Sequence, residues 1–290
     1  MLIVKPEGGF FLSICHGYAH STVMNSELDQ KSLRVGLFAT CLVDLMRPGV
    51  GFAAARLLSD AGCRVEVPEA QTCCGQPAYN SGDMADTRAI AEHVIATFED
   101  FDYVVVPSGS CAGTLTKHYP ELFEAESDWH RRAVDVSNKT FELTQFLMDV
   151  LKITELSVNW PALATYHDSC SGLRELGIKA QPRDLLDKIN GLRLAEGQEA
   201  ETCCGFGGLF CIKYGDISEE IVSAKVADIQ ATNTDMVLGG DLGCLMNIAG
   251  RLKRLGDDTE VRHIAEVLAD MRDLPPIAEP AVETVTESDG

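Results

Sequence analysis

One cysteine pattern occurs twice along this chain of 290 residues, and it constrains the fold more than any other feature. Each copy has a lone cysteine, then an adjacent pair followed by glycine, then a last cysteine. The members are Cys41, Cys73, Cys74 and Cys111 in the first set, and Cys170, Cys203, Cys204 and Cys244 in the second set. The intervals around the pair are 31 and 36 residues in the first copy and 32 and 39 residues in the second. The repetition predicts a duplicated domain with one four-thiol site in each copy.

Four thiolates that meet at one point bind a soft metal ion or an iron–sulfur cluster. Zinc is the main rival to a cluster, because four thiolates also complete a structural zinc site. Zinc sites of that kind usually bring their cysteines as close pairs, about two to four residues apart, and this sequence has no such pair. The spacing therefore favours iron–sulfur clusters, with zinc in at least one site and metal-free redox thiols as the alternatives.

The composition narrows the class of protein. There are 44 acidic and 24 basic residues, which gives a net charge of −20 and a pI near 4.6. Such a surface repels phosphates, so nucleic acid and anionic membrane surfaces are excluded as partners. The hydrophobic content of 46% and a mean hydropathy of +0.01 describe a globular protein with a sizeable core. No apolar run approaches the roughly 20 residues that span a bilayer.

The cysteine count indicates the compartment. Eleven cysteines in a chain of this length are odd in number and too sparse for a disulfide-stapled secreted domain. A reducing, cytoplasmic environment with thiolates on a metal fits better. The stretch GFFLSIC at 9–15 is short for a signal-peptide core and has no small-residue cleavage site before Cys15. Cys15 lies outside the repeat, and Met24 is an alternative translation start.

Hydrophobic periodicity predicts an α/β fold. Strands are predicted at 33–39, 64–67 and 103–106 in the first half, and at 162–166, 192–195 and 236–238 in the second half. Helices are predicted at 50–61, 82–98, 182–189 and 217–231, with a further helix ending near 255. Alternation of this kind gives two tandem, similar, Rossmann-like domains with parallel sheets. The cysteines follow the carboxyl ends of the strands, where such sheets bind ligands.

The same patterns set the expected domain boundaries. Residues 1–32 form an N-terminal extension that we expect to be flexible. The first cysteine-rich domain covers 33–155 and the second covers 156–272, with a helix and connector at 141–154 joining them. Residues 273–290 form an acidic, proline-rich tail that we expect to be disordered.

Several residues near the cysteines invite a functional interpretation. Gly75 and Gly205 are expected to let the backbone approach the inorganic sulfurs of a cluster and to offer N–H donors to them. His167 is either a structural hydrogen-bonding group or a group that handles protons beside the second site. Cys211 is a candidate ligand or neighbour of that site, whereas Cys63 is expected to be a buried apolar residue.

Two polar residues precede the last cysteine of each set. Ser108 stands three positions before Cys111, and Asp241 stands three positions before Cys244. Each of the two side chains carries oxygen that can act as a metal ligand. A capping or turn role is the favoured interpretation for both.

Local motifs around the cysteines carry a family resemblance over about 33–269. They read TCLVDLMRP, QTCCGQPAYNSG, VVVPSGSCAG, YHDSCSGLRELGI, TCCGFGGLF and GCLMNIAG. The repeated arrangement resembles the CCG cysteine-rich domain found in heterodisulfide reductases and in the iron–sulfur subunits of glycolate and anaerobic glycerol-3-phosphate dehydrogenases. The local motifs are most similar to the lactate-utilisation A family.

The resemblance implies a subunit of a cytoplasmic, three-protein system that oxidises L-lactate to pyruvate. A ferredoxin-like iron–sulfur protein and a smaller third protein would be the partners. The eight cysteines would hold up to two [4Fe–4S] clusters, and the chain would transfer electrons. There is no G-x-G-x-x-G fingerprint and no phosphate loop, so no nucleotide site is predicted.

The chain departs from the wider family at four positions. Where that family ends its motif in C-x-x-C, this chain has Ser108 and Asp241 in place of the first cysteine, and where histidine is usual it has Ser171 and Asn247. The five-cysteine site of heterodisulfide reductases is thus incomplete in both halves. A heterodisulfide-reductase-like thiol enzyme and a zinc-stabilised scaffold stay as alternatives to the electron-transfer subunit.

Overall fold

The computed structural model describes residues 24–25 and 32–280, and within them the chain forms two four-stranded parallel sheets. The first sheet contains β2 (Arg34–Leu37), β3 (Arg64–Glu66), β4 (Tyr103–Val106) and β5 (Thr140–Glu142). The second contains β7 (Asn159–His167), β8 (Asn190–Leu194), β9 (Met236–Gly239) and β10 (Glu260–His263). The spatial orders, β3-β2-β4-β5 and β8-β7-β9-β10, are the same. The predicted tandem α/β fold with parallel sheets is therefore confirmed.

Helices follow the strands in the same order in both halves. Those of the first half are Cys41–Met46, Pro48–Asp60, Gln76–Asn80, Met84–Phe98, Gly109–Gly113, Tyr119–Glu121, Asp128–Asn138 and Leu143–Gln145, with π-helical turns at Thr114–His118 and Phe146–Val150. Those of the second half are Cys170–Arg174, Ala180–Leu186, Phe210–Lys213, Gly215–Ala231, Leu242–Leu255 and Ile264–Leu268. None of the helices in the described residues is both long and apolar enough to cross a membrane.

Buried apolar residues explain why the central strands form. β4 and β9 have the compositions YVVV and MVLG and are almost entirely buried, as expected for strands covered by helices on both faces. One core cluster draws on both halves, joining Val35 and Leu147 to Leu185 and Leu238. A second cluster lies within the first half and includes Phe38, Phe98 and Tyr119. The shared core fastens the two halves together.

The connection between the halves differs from the prediction. The sequence predicts a helix and a connector at 141–154, but Thr140–Glu142 is the fourth strand of the first sheet. The chain then turns helical to Val150 and forms β6 (Ile153–Glu155). Charged and polar residues hide the short strand TFE from periodicity, and only its pairing with β4 defines it.

The two ends of the chain also differ from the expected flexible extension and disordered tail. β1 (Met24–Asn25) pairs with β6, antiparallel. At the other end the Ile277 side chain is buried and its N–H donates to the Val261 carbonyl. The first part of the expected tail, 273–280, thus includes a residue that packs against the second sheet. Residues 1–23, 26–31 and 281–290, including Cys15, lie outside the described residues.

Candidate metal centres

The first cysteine set lies at the carboxyl edge of the first sheet. Cys41 is the first residue of the helix Cys41–Met46, directly after β2, and the Thr40 side chain caps that helix by accepting from the Val43 N–H. The Cys73–Cys74 pair lies in the loop that follows β3. Cys111 lies in the short helix Gly109–Gly113 after β4. Three neighbouring strands of one parallel sheet thus bring the four thiols to one place.

The four sulfurs of the first set form a chain of contacts. The Sγ atoms of Cys74 and Cys111 lie 3.4 Å apart. Cys73 accepts from the thiols of Cys41 and Cys74, and these two hydrogen bonds lower the pKa of Cys73 to about 3. The hydrogen bond between Cys41 and Cys73 raises the pKa of Cys41, which is its donor. One thiolate is therefore stabilised at the centre of the set, which is the protonation state that a metal requires.

The second set repeats this arrangement at the edge of the second sheet. Cys203 accepts from Cys170 and Cys204, and its pKa is lowered to about 2. The Gly205 N–H also donates to the Cys203 Sγ at 3.3 Å. Hydrogen bonds with Cys203 and Cys244 raise the pKa of Cys204. All eight cysteines of the two sets thus lie in two groups of four.

Tyr119 and Asn247, for which the sequence predicted no such contact, hold the paired cysteines in place. The Tyr119 hydroxyl donates to the Cys74 carbonyl at 2.9 Å, and the Asn247 amide donates to the Cys204 carbonyl at 2.9 Å. Each donor follows the last cysteine of its set on the same run of helix. Asn247 thus has a structural contact at a position where the wider family has histidine. The sequence around Tyr119 or Asn247 does not indicate these contacts, because each hydrogen-bond partner lies about 45 positions away along the chain.

Among the described residues, Cys63 and Cys211 are the cysteines that belong to neither set. Cys63 is buried, 8% exposed, and burial raises its pKa to about 11, which agrees with the expected apolar role. Cys211 is half-buried, and its thiol donates to the Gly208 carbonyl at 3.4 Å. Cys211 therefore contacts the glycine-rich loop that follows the second cysteine pair.

Ser108 and Asp241 meet each other between the two halves. The Ser108 hydroxyl accepts from the Cys111 N–H and so caps the helix Gly109–Gly113, as predicted. Asp241 departs from the capping interpretation, because its carboxylate crosses to the first half. It accepts from the Ser108 hydroxyl at 3.2 Å and from the Ser110 N–H at 2.9 Å. The loops that carry the last cysteine of each set are thereby joined.

His167 ends β7 beside the second set. Its ring is 2% exposed, and burial lowers the pKa of His167 to about 3, so the imidazole is neutral at physiological pH. One ring nitrogen and the sulfurs of Cys204 and Cys244 all lie within 4.8 Å of one another. The buried Lys225 lies nearby and donates to the carbonyls of Glu199 and Ala200. The second site therefore has polar neighbours as well as thiols.

The donor sets fit a thiolate-bound metal or cluster. Two thiolates bound to one tetrahedral ion at about 2.3 Å lie about 3.8 Å apart, close to the 3.4 Å between Cys74 and Cys111. Soft sulfur donors, a lowered thiol pKa and backbone N–H groups directed at sulfur suit both zinc and iron. The clustered cysteines of each half thus have the chemistry that suits metal or iron–sulfur binding.

Two cavities bear on whether a small substrate binds near these sites. The first lies between the halves, is lined by Glu142, Tyr166 and Gly240 among others, and has a volume of about 10 Å³. That volume is the room of about one water molecule. The second, of about 660 Å³, lies at the amino ends of the second sheet, away from the cysteines. Its lining includes the carboxylates of Asp235, Asp257, Asp258 and Glu260 together with the guanidinium groups of Arg262 and Arg272.

A comparison with protein families places both halves in one group. The family described as "Cysteine-rich domain" (CCG) matches residues 35–116 and again residues 164–249. Each match includes one complete set of four cysteines. The match therefore covers more than half of the chain and reproduces the duplication.

Individual relatives match most of the chain. Lactate utilization protein A of Geobacillus sp. (strain WCH70) is 50% identical over 236 residues, which are 81% of this chain and 99% of the relative. Lactate utilization protein A 2 of Bacillus mycoides (strain KBAB4) is 48% identical over the same share of this chain and 98% of the relative. A crystal structure of a hypothetical protein from Helicobacter pylori matches 91% of this chain and 52% of its own, with a TM-score of 0.60 and 13% identity. That last likeness concerns the fold.

Proposed function

This chain belongs to the cysteine-rich domain family, among the lactate utilization A proteins, and on that premise we propose that it takes part in lactate utilisation as an iron–sulfur electron-transfer subunit. The convergence of eight thiols into two groups of four is the observation that carries the proposal. The thiolates would hold two clusters, most simply of the [4Fe–4S] type, which store and pass single electrons.

The electron balance agrees with two sites. Oxidation of L-lactate to pyruvate releases two electrons and two protons. Two one-electron centres on one chain accept that pair of electrons without a two-electron cofactor, such as a nicotinamide, on this chain. The cavity between the two sets is too small for lactate. Electron acceptance is the role that we propose for this chain, and hydroxy-acid binding is the role that we propose for a partner.

Exposed apolar side chains beside each set support docking of partner proteins. Leu45 and Met46 are 67% and 60% exposed in the helix that begins at Cys41. Ile212 and Tyr214 are 77% and 55% exposed just after the second glycine-rich loop. Apolar groups on an acidic surface are typical of contact sites. The proposed partners are a ferredoxin-like iron–sulfur subunit and a smaller third subunit, in the cytoplasm.

The proposal is tested first by metal and sulfide analysis of the full chain purified without oxygen. We expect about eight irons and about eight acid-labile sulfides per chain, and an EPR signal that appears on reduction. Cys74→Ala and Cys204→Ala should each remove about half of the iron. Cys63→Ala is the matched control, since Cys63 is buried but lies outside both sets, and it should keep the full iron content.

A growth experiment tests whether the metal sites are needed for the use of lactate. A strain without this chain should fail to grow on L-lactate, and the unsubstituted chain and the Cys63→Ala variant should restore growth. Cys74→Ala and Cys204→Ala should not. Zinc without sulfide in the purified protein would contradict the redox role and favour a zinc-stabilised scaffold.

A further inference from the structure

The second site holds a buried imidazole whose contacts are incomplete. His167 is 2% exposed, and among the described residues neither its Nδ1 nor its Nε2 has a hydrogen-bond partner. A buried polar group without a partner destabilises the folded state, because it has lost its hydrogen bonds to water. A neutral imidazole has one nitrogen lone pair to share, and it is the commonest protein ligand of metals. The burial of His167 therefore points to a partner that the described protein groups do not supply.

The position of the ring indicates where that partner lies. A ring nitrogen of His167 and the sulfurs of Cys204 and Cys244 all fall within 4.8 Å of one another. Within the described part of the chain, no hydrogen bond joins the ring to either sulfur. The ring nitrogen thus lies close to both sulfurs without a hydrogen bond to either. An atom between them would bind all three.

The charged neighbours of His167 already have other partners. The Lys225 ammonium donates to the carbonyls of Glu199 and Ala200 and lies 3.9 Å from the Asp228 carboxylate. Asp168, the next residue in the chain, accepts two hydrogen bonds of 2.9 Å from Arg183. These groups therefore leave the imidazole free to bind at the cysteine site.

The first site has apolar residues at the matching places. His167 stands three positions before Cys170, and Phe38 stands three positions before Cys41, each directly at the end of the central strand. Gly75 contacts Ile90 and Gly205 contacts Ile221, which aligns the two long helices. On that alignment Val94 corresponds to Lys225. The repeat thus keeps the thiols of both sites but places an imidazole in the second alone.

We propose that His167 supplies a nitrogen ligand to a metal atom of the second site, beside Cys204 and Cys244, so that the two sites of this chain differ in chemistry. The proposal rests on the metal binding proposed above. A neutral imidazole donates less electron density than a thiolate, and imidazole ligands raise the reduction potential of a cluster. The second centre is therefore the more easily reduced, and electrons run from the first site to the second.

The test uses the full chain, labelled with ¹⁵N-histidine, purified without oxygen and reduced. Pulsed EPR measures the hyperfine coupling between the reduced centre and nearby ¹⁵N nuclei. We expect a strong coupling of the size given by a directly bound nitrogen. It should vanish in His167→Gln, while the iron content stays near that of the unsubstituted protein. Iron and sulfide contents report separately on the underlying proposal of cluster binding.

Matched variants separate ligation from structural effects. His263→Gln is the control, because His263 is fully buried and its Nε2 also lacks a partner in the described residues, yet it lies against the backbone of Pro107 and Gly240. The strong coupling should survive there. His167→Cys supplies a thiolate instead, and in a redox titration it should lower the potential of one centre and leave the other unchanged.

The outcomes are distinct. A weak or absent coupling in the iron-loaded, unsubstituted protein overturns the role of His167 and leaves cluster binding intact. A strong coupling that persists in His167→Gln also overturns the role of His167 and leaves cluster binding intact. If the protein holds zinc, exchange with ¹¹³Cd and NMR detection of ¹¹³Cd–¹⁵N splitting applies the same criterion. A reduced chain that binds neither iron nor zinc overturns both proposals.

Discussion

At the scale of single residues, the glycines after each cysteine pair fix the geometry of the thiols. Gly75 and Gly205 have φ of +81° and +80°, a left-handed conformation that costs a residue with a Cβ about 1–2 kcal/mol. A Cβ on Gly75 would lie 3.3 Å from the Ile90 side chain. A Cβ on Gly205 would lie 2.7 Å from the Ser218 carbonyl oxygen, a backbone atom that cannot move aside. The fold therefore tolerates a side chain at position 205 less well than at position 75.

We predict that Gly205→Ala destabilises the protein more than Gly75→Ala. Both variants incur the strain of about 1–2 kcal/mol, and Gly205→Ala adds a collision with backbone. Chemical denaturation followed by circular dichroism measures the two losses. Gly82→Ala is the control, because Gly82 has φ of +80° but open space around its Cβ position. Equal losses in all three variants would contradict the role of the Ser218 carbonyl.

At the scale of elements, the end of the fourth strand of the first sheet places a carboxyl group inside the protein. Glu142 caps the helix Leu143–Gln145, accepting from the N–H groups of Thr144 and Gln145. It is 3% exposed, and one carboxyl oxygen has no partner among the described residues. Burial raises the pKa of Glu142 to about 7. The folded state thus holds a proton that the unfolded chain releases near pH 4.5.

This pKa predicts a stability that falls as the pH rises. Between about pH 4.5 and 7 the folded state binds more protons than the unfolded state, so the free energy of unfolding decreases by up to about 1.4 kcal/mol per pH unit. Glu142→Gln keeps an acceptor for the helix N–H groups and removes the titration. Its stability relative to the unsubstituted protein should therefore increase from pH 4.5 to 7 and then level off.

Urea denaturation at a series of pH values measures this difference. The exposed Glu155→Gln variant controls for the loss of one negative charge. A difference between Glu142→Gln and the unsubstituted protein that does not change with pH would show that Glu142 is ionised in the folded state throughout.

At the scale of the whole molecule, an ion pair joins the two halves and the tail. The Arg47 guanidinium donates to the Glu266 carboxylate at 2.6 and 3.1 Å and to the Pro275 carbonyl at 2.6 Å. The Glu266 side chain is fully buried and also accepts from the His263 N–H. Arg47 directly precedes the helix Pro48–Asp60, and this helix packs against the helix Ile264–Leu268. One side chain thus holds three parts of the chain together.

We predict that Arg47→Ala costs about 3–5 kcal/mol of unfolding free energy, because it leaves a buried carboxylate without its partner. Arg34→Ala is the matched control. It breaks the Arg34–Glu66 pair, whose side chains are 40% and 33% exposed, and should cost about 0–1 kcal/mol. Thermal and urea denaturation compare the two variants. Similar losses would show that the Arg47 contact is no stronger than a surface pair.

The sequence by itself determined the repeated cysteine sets, the strands that precede them and the family. These features are local: a strand such as YVVV is defined by its own residues, and parallel topology brings the loops after such strands to one edge. The proposed ligands at Cys74 and Cys204 could accordingly be chosen from the spacing of the cysteines.

The tertiary structure alone decided the rest. The short fourth strands TFE and EVRH exist because neighbours pair with them, since their own residues show no strand periodicity. Arg47 finds Glu266 across 219 positions, and Asp241 turns from its own helix to Ser108. The unsatisfied ring of His167 could be recognised only once its surroundings were known. Each of these depends on which distant groups share a buried space, and spacing along a chain does not record that.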